Sequence, residues 1–249
     1  MTLSPQTGGP MVLGALAVAF AGFIGGLTGF GASLVGTPLL LLIGFPLPQV
    51  VVINLITTMI TRLAVLHRER AHIAWRRVAV LGAASLPGAA AGALTLHLLP
   101  PHALRILAGT VVVLSGLRLL LRPSREARPA TPARQTIAGL LGGYLSTTTS
   151  LNGAPPAVLL ASAKVPPRTF VGDLAGYFVV TNCLSLLLLI TAGQLDTTDL
   201  SSRLPILVLA ALAGNILGGR LVGRVPRLVF DRAIVGLIVV SGVVTMIGA

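Results

Sequence analysis

The chain contains few charged residues, and very few of them are acids. Only 10% of its 249 residues are charged, with 6 Asp and Glu against 18 Lys and Arg, whereas an ordinary soluble domain carries about 25% charge. The sequence also lacks a His-Glu-x-x-His motif and a Gly-Lys-Ser/Thr phosphate loop. These absences argue against zinc-protease chemistry and against ATP hydrolysis by this chain. We expect a protein that is not an enzyme and that carries no cofactor.

Cysteine and histidine are equally scarce. The single cysteine, Cys183, lies within an apolar run, so neither an intrachain disulfide nor a cysteine metal cluster can form. The four histidines, His67, His72, His97 and His102, flank loops and have no metal-ligand spacing on an apolar face. We therefore expect no metal site.

Long apolar runs take up most of the chain. The sequence is 54% hydrophobic and its mean hydropathy is +0.94, and its runs of about 20 apolar residues are long enough to span a bilayer. The net charge of +12 would suit a nucleic-acid partner, but the arginines lie between apolar runs, where they determine membrane topology. We expect an all-α polytopic membrane protein whose surroundings are the lipid bilayer, with no nucleic-acid partner.

The apolar segments follow a pattern that occurs twice. In each half, a long segment interrupted by glycines and hydroxyl residues precedes three uninterrupted spans. The first half, residues 1–121, contains the segments 11–43, 48–66, 78–99 and 103–121. The second half, residues 136–249, contains 136–163, 169–192, 204–222 and 228–247. A basic linker, residues 122–135, joins them, and we expect it in the cytoplasm.

The two interrupted segments align with each other without a gap. With a constant offset of 117, Gly22, Gly25, Gly26, Ser33, Gly36 and Pro38 fall on Gly139, Gly142, Gly143, Ser150, Gly153 and Pro155. Two helix breaks at corresponding places in two halves are typical of transporters built from repeats, whose binding site lies between the breaks. The sequence therefore predicts an internal duplication with a site at residues 29–38 and 146–155.

The distribution of basic residues predicts the relative orientation of the halves. If each interrupted segment crossed the membrane once, seven of the 18 basic residues would lie outside. If each segment enters and returns to its own side as a hairpin, only Arg105 and Arg203 lie outside. The positive-inside rule favours the second arrangement. We expect two inverted-topology repeats, each a hairpin-like interrupted helix plus three transmembrane helices, with both termini outside.

Two motifs resemble those of a known transporter family. The stretch GGLTGFGASLVGTPLLLLIG, residues 25–44, is similar to the glycine-rich first motif of the sulfite exporter TauE/SafE family, also called the toluene sulfonate uptake permease family. The stretch NGAPPAVLLASAKVPPRTF, residues 152–170, resembles its second motif through Gly153, Pro155, Pro156 and Arg168. A hydroxyl run at 146–149 replaces glycines that many members keep.

The resemblance implies a secondary transporter. Members of that family move sulfur-containing or organic anions, such as sulfite and sulfonates, across the cytoplasmic membrane. We therefore expect a multi-pass protein of the bacterial inner membrane that transports such an anion. The substrate itself, the direction of transport and the coupling ion stay open, and a homo-oligomer is compatible with the sequence.

The breaks offer a particular way to hold an anion. Half-helix N-termini present N–H groups and the positive end of a dipole, glycines allow close approach to the backbone, and hydroxyls and amides donate hydrogen bonds. No Lys or Arg lies in either break, so we expect these groups alone to bind the anion, with Pro38 and Pro155 in first helical turns. The candidate substrate-binding residues are Gly29, Phe30, Gly31, Ser33, Gly36, Thr37, Pro38, Thr147, Thr148, Ser150, Asn152, Gly153 and Pro155. The alternative is that these small residues only let helices pack closely.

Four polar residues outside the breaks are candidates for the cavity or for coupling. Asp173 is the one acid within a predicted span; it either marks an ion path or lies in the first turns of its own helix, where the helix dipole favours it, near Arg168. Asn54, Asn182 and Asn215 either face the same cavity or join helices by hydrogen bonds.

Two other functional classes compete with transport. A membrane-embedded enzyme would need paired carboxylates, a histidine cluster or a Ser/Lys dyad facing a cavity, and the sequence offers none. A non-transporting assembly subunit would have no need for two matched breaks within apolar segments. A small-anion transporter is therefore the leading hypothesis.

Overall fold

The computed structural model describes residues 8–121, 128–193 and 202–221 and a few residues between 236 and 246. Within these residues the chain is helical and has no strand. The helices, in chain order, are α1 (Gly8–Thr28), α2 (Gly31–Ile43), α3 (Leu47–Glu69), α4 (Trp75–Leu98), α5 (Pro101–Leu121), α6 (Pro132–Thr149), α7 (Ala154–Ser162), α8 (Pro167–Thr191) and α9 (Leu204–Leu221), with one 3₁₀ turn at Arg70–His72. The expected all-α class is confirmed.

Five of these helices are long and apolar enough to cross a membrane. They are Pro10–Thr28, Leu47–His72, Trp75–Leu96, Pro167–Thr191 and Leu204–Leu221. Many of their large apolar side chains, among them Leu16, Leu94 and Leu209, are exposed on the outside of the bundle. Apolar residues facing outward are what a lipid environment requires. The last predicted span, 228–247, and residues 122–127 of the linker lie almost wholly outside the described residues.

The first interrupted segment folds back on itself. Its break lies at Gly29 and Phe30, where Gly29 adopts φ +87°, a backbone conformation that suits glycine. A Cβ on Gly25 would lie 2.7 Å from the Cβ of Ala32, and a Cβ on Gly14 would lie 3.0 Å from the ring of Phe45. The end of α1, at Gly25, thus lies beside the start of α2, and the early part of α1, at Gly14, lies beside Phe45, just past the end of α2. Helix α2 therefore runs antiparallel to α1.

The second interrupted segment has the same shape. Ser150, at φ 60°, ends α6 in the left-handed region. Arg134, near the start of α6, donates from Nη2 to Ser162 Oγ at 3.0 Å, and Arg128 N donates to Ser162 O at 3.0 Å. The end of α7 therefore lies beside the start of α6, so α6 and α7 also form a hairpin.

Glycines bring α1 against a helix from the other half of the chain. A Cβ on Gly22 would lie 2.4 Å from the carbonyl oxygen of Ala211, and one on Gly26 would lie 2.3 Å from that of Asn215. Such distances are shorter than any real side chain allows, so only glycine fits at these two positions of the α1–α9 contact.

The α4–α6 contact repeats this arrangement. A Cβ on Gly139 would lie 2.5 Å from Leu81 O, and one on Gly143 would lie 2.0 Å from Ser85 O. These two glycines are the ones that align with Gly22 and Gly26 at the offset of 117. In both halves, the first helix of the hairpin thus packs through the same glycine pair on a helix from the opposite half.

Candidate functional site

The two breaks lie in contact with each other. The hydroxyls of Thr37 in α2 and Ser150 at the end of α6 share a hydrogen bond of 3.0 Å. A Cβ on Gly153 would lie 3.4 Å from Phe30 O, which places the second break beside the first. The residues are buried, so the expectation that the breaks converge is confirmed.

Asn54 in α3 joins both breaks. Its side-chain amide Nδ2 donates to Thr37 Oγ1 at 2.9 Å and to Ser150 Oγ at 3.0 Å. Gly36 makes room for this amide, because a Cβ there would lie 2.7 Å from Asn54 Oδ1. Three segments from both halves of the chain therefore meet at one buried cluster, which we call the break cluster: Thr37, Asn54 and Ser150.

A second set of buried hydrogen bonds extends from Asn152 into α8. Asn152 Nδ2 donates to Asn182 Oδ1 at 2.7 Å and to Ser146 Oγ at 3.3 Å. Asn182 Nδ2 donates in turn to Leu55 O at 3.2 Å, and Ser185 Oγ donates to Ser146 Oγ at 2.8 Å. Leu55 follows Asn54 in α3, so this set adjoins the break cluster.

The helix start at the first break is partly occupied by its own chain. The N–H of Gly31 donates to Thr28 Oγ1 at 3.0 Å. The ring of Phe30 packs edge-on against Phe170 at a centroid distance of 6.2 Å, so this side chain fills the core. The hydroxyl of Ser33, in the first turn of α2, is buried without a hydrogen-bond partner and is therefore the most available donor on α2.

Two predicted site residues point elsewhere. Thr147 Oγ1 donates to Ala89 O of α4 at 3.1 Å, and Thr148 Oγ1 donates to Tyr144 O of its own helix at 2.8 Å. Both hydroxyls satisfy helix carbonyls, and neither is bonded to the break cluster.

The expectation for Pro38 is wrong, and that for Pro155 is confirmed. Helix α2 begins at Gly31, so Pro38 lies two turns inside it, where its missing N–H leaves the carbonyl of Leu34 without the usual helical donor. Pro155 lies in the first turn of α7, which begins at Ala154. Pro155 and Pro156 have no N–H, so the start of α7 offers fewer backbone donors than the sequence analysis assumed.

Asp173 has a partner that the sequence analysis did not identify. Its carboxylate accepts from Arg77 Nη1 at 2.6 Å and from Ala74 N at 2.8 Å, and the side chain is fully buried. Asp173 lies within the first two turns of α8, which begins at Pro167, but its ion-pair partner is Arg77 and not Arg168. Asp173 instead holds the beginning of α4 against α8.

A basic side chain does lie at the first break, contrary to expectation. Arg62 is 1% exposed, and its Nη1 donates to Gly29 O at 3.0 Å. Arg62 had been counted among the basic residues that determine membrane topology, but it lies well inside α3, which continues to Glu69. Its position four residues after Thr58 and eight after Asn54 would have placed it on the same polar helix face.

Asn215 lies beside Arg62 and not at the break cluster. With its amide oriented so that the oxygen faces α1, Oδ1 accepts from Arg62 Nη2 at 3.1 Å and from Gly26 N at 3.2 Å. Of the three asparagines predicted outside the breaks, Asn54 and Asn182 therefore belong to the two adjoining sets of hydrogen bonds, and Asn215 bonds to Arg62.

A small cavity lies between these groups. Its walls come from α1, α2, α3 and α9, and they are Val18, Ala21, Gly22, Ala32, Asn54, Thr57, Thr58, Thr61 and Ala211. It has room for about one water molecule. A larger occupant of this cavity would require these helices to separate.

Comparison with known proteins agrees with this architecture. Residues 14–245 match the family described as sulfite exporter TauE/SafE. The resemblance drawn from the two glycine-rich motifs is confirmed over nearly the whole chain. No curated protein and no solved structure matches the chain.

Proposed function

Because the chain belongs to the sulfite exporter TauE/SafE family, we propose that it is a secondary transporter for sulfite or an organosulfonate in the bacterial cytoplasmic membrane. The family is one of transporters, and the five apolar helices are long enough to span a bilayer. The protein is therefore a multi-pass membrane protein of a transporter family and not an enzyme. The substrate and the secondary mechanism are the proposed part.

We propose that the two halves are inverted repeats. Both interrupted segments fold back as hairpins, and the matched glycine pairs pack each hairpin on the opposite half. The charge asymmetry persists when buried Arg62 is set aside, since Arg105 and Arg203 are still the two basic residues expected outside. Repeats of this kind allow one half to rock against the other around a fixed site.

The break cluster is the observation that carries the proposed site. Thr37, Asn54 and Ser150 bring two hydroxyls and an amide together from both halves. A transported anion must exchange its hydration shell for fixed donors, because burying it without partners is very costly. When the helices separate, these donors and those of Ser33 and Asn152 become available for sulfur oxyanion oxygens.

We further propose that Asp173 takes part in coupling. Its carboxylate is held by Arg77, and Glu69 and His72 lie at the same end of α3. Protonation of Asp173 would break the ion pair, and α8 would then be released from α4. Since α8 also carries Asn182, a movement of α8 would change the hydrogen bond between Asn182 and Asn152.

Flux through the purified protein tests this function. We expect proteoliposomes containing the protein to move labelled sulfite down an imposed sulfite gradient, whether that gradient is directed inward or outward. Taurine, thiosulfate or sulfoacetate should inhibit this flux, and acetate should not. Empty liposomes provide the background. No flux of any of these sulfur anions, from protein that is folded and inserted, would overturn the proposed function.

A further inference from the structure

We propose that Arg62 is the cationic part of the anion site, and that the transported oxyanion is its counter-ion in the cavity between α1, α2, α3 and α9. This inference rests on the proposed function and adds a charged group to a site otherwise made of dipoles and hydroxyls. It also names the ligand class: a small oxyanion with two or more oxygens that a guanidinium can bind together.

The burial of Arg62 requires a compensating charge. In the described part of the chain its guanidinium forms no ion pair, and its contacts are the neutral oxygens of Gly29 and Asn215. An arginine withdrawn from water without a counter-ion costs several kcal/mol. A protein that keeps such a group at a helix break therefore gains stability when an anion binds beside it.

The guanidinium also has unused donors. Arginine carries five N–H groups in a planar fork that matches two oxygens of one oxyanion. Nη1 and Nη2 each make one of the contacts above, and Nε has no partner. A sulfite or sulfonate group could therefore be bound through two oxygens while the contact with Gly29 is kept.

The cavity lies on the same face of α3 as Arg62. Asn54, Thr58 and Arg62 are spaced by four residues, about one helical turn, and all three are buried. Arg62 is not itself a wall of the cavity, but it follows Thr61 and lies one turn after Thr58, both of which are. Ala32, a wall of the cavity, lies against Gly25. A Cβ on Gly25 would lie 3.0 Å from Arg62 Nη2, so the guanidinium adjoins this wall.

One hydroxyl in this cavity has no partner. Thr57 and Thr61 bond to carbonyls of their own helix, whereas Thr58 Oγ1 is buried without any hydrogen bond. A buried polar atom left without a partner is costly. The unpartnered Thr58 hydroxyl thus lies in the wall of the cavity, with Asn54 of the break cluster beside it, and the unpartnered Arg62 Nε belongs to the adjoining turn of α3.

Arg62 has a structural alternative, since it could serve only to bind the carbonyl of Gly29 at the first break. Three variants separate the roles: Arg62→Gln, Arg62→Lys and, as a control, Arg68→Gln, which removes one charge from the exposed end of the same helix. The measurements are sulfite affinity, from melting temperature in detergent against sodium sulfite with sodium chloride as control, and sulfite flux in proteoliposomes.

We expect Arg62→Gln to lower sulfite affinity at least tenfold, while its melting temperature without sulfite equals or exceeds that of the wild type. Arg62→Lys should keep the charge, lose the fork and bind with intermediate affinity, which still tests the inference if the glutamine variant fails to fold. Arg68→Gln should bind like the wild type. Unchanged affinity in both Arg62 variants, with wild-type flux intact, would overturn this inference alone; absence of sulfite binding and flux in the wild type would overturn the proposed function as well.

Discussion

Thr37 and Ser150 lie 113 residues apart in the chain, and their hydroxyls share a buried hydrogen bond of 3.0 Å. Each belongs to a different half and to the interrupted segment of that half. The bond therefore joins the two hairpins, from the middle of α2 to the residue that ends α6. Because Asn54 donates to both hydroxyls, a movement of either hairpin changes the bonding of all three.

Gly36→Ala should abolish transport without preventing insertion. The new Cβ would lie 2.7 Å from Asn54 Oδ1, which displaces the amide from Thr37 and Ser150. The matched control is Gly219→Ala in α9, whose Cβ would meet only Arg68 Nη1 at an ordinary 3.8 Å. Sulfite flux in proteoliposomes at equal reconstituted protein measures the effect. Wild-type flux in Gly36→Ala would mean that the cluster is a packing feature.

Asn152→Ala should weaken sulfite binding by about 1–3 kcal/mol, the cost of a lost hydrogen bond to a charged group. It should also lower stability, because Asn182 Oδ1 loses the donor that lies 2.7 Å away. A double-mutant cycle with Asn182→Ala, measured by titration with sulfite and by unfolding in detergent, separates the two effects. A loss of stability with unchanged affinity would confine Asn152 to packing.

Asp173→Asn should lower the free energy of unfolding by about 1.5–3 kcal/mol, since a charged hydrogen bond to Arg77 is lost. It should also alter sulfite flux under an imposed proton gradient. Arg168→Gln is the control, because Arg168 is exposed and Asp173 bonds to Arg77 instead; it should change neither property. Destabilisation with an unchanged response to the gradient would leave Asp173 as a structural ion pair only.

Single cysteines should report the inverted topology. In a Cys183→Ser background, cysteines replacing Arg76 and Lys164 should react only from the cytoplasmic side, and those replacing His102 and Ala192 only from outside, as labelling with an impermeant maleimide would measure. All four positions are exposed. Two parallel repeats would reverse Lys164 and Ala192, so labelling of Lys164 from outside would contradict the hairpin arrangement.

Much of the fold could be predicted from the sequence because apolar length and glycine spacing act locally. The break at Gly29 and the helix start before Pro155 each follow from a residue whose backbone preference is strong, whereas serine seldom adopts the φ of 60° at which Ser150 ends α6. The contact between the two breaks could be expected as well, because two matched interruptions in a bilayer must cover each other's unpaired groups.

The partners of buried charges could not be predicted in the same way. Arg62 and Arg77 were both counted only as residues that determine membrane topology, but they lie within α3 and α4, where they bond to Gly29 and Asp173. A partner 96 residues away leaves no local pattern. Pro38 was misplaced for a related reason, since tertiary packing tolerates a proline within α2 that helix propensity alone would put at its start.

The position of a bound anion tests the central claim most directly. Selenite has the pyramidal shape of sulfite, and its selenium scatters X-rays anomalously, so crystals grown with selenite would show where the oxyanion lies. We predict one strong selenium peak in the cavity between α1, α2, α3 and α9, within about 4 Å of the Arg62 guanidinium or the Asn54 amide. An empty cavity at saturating selenite, with selenium bound only elsewhere, would contradict the assignment of the two breaks and Arg62 as the anion site.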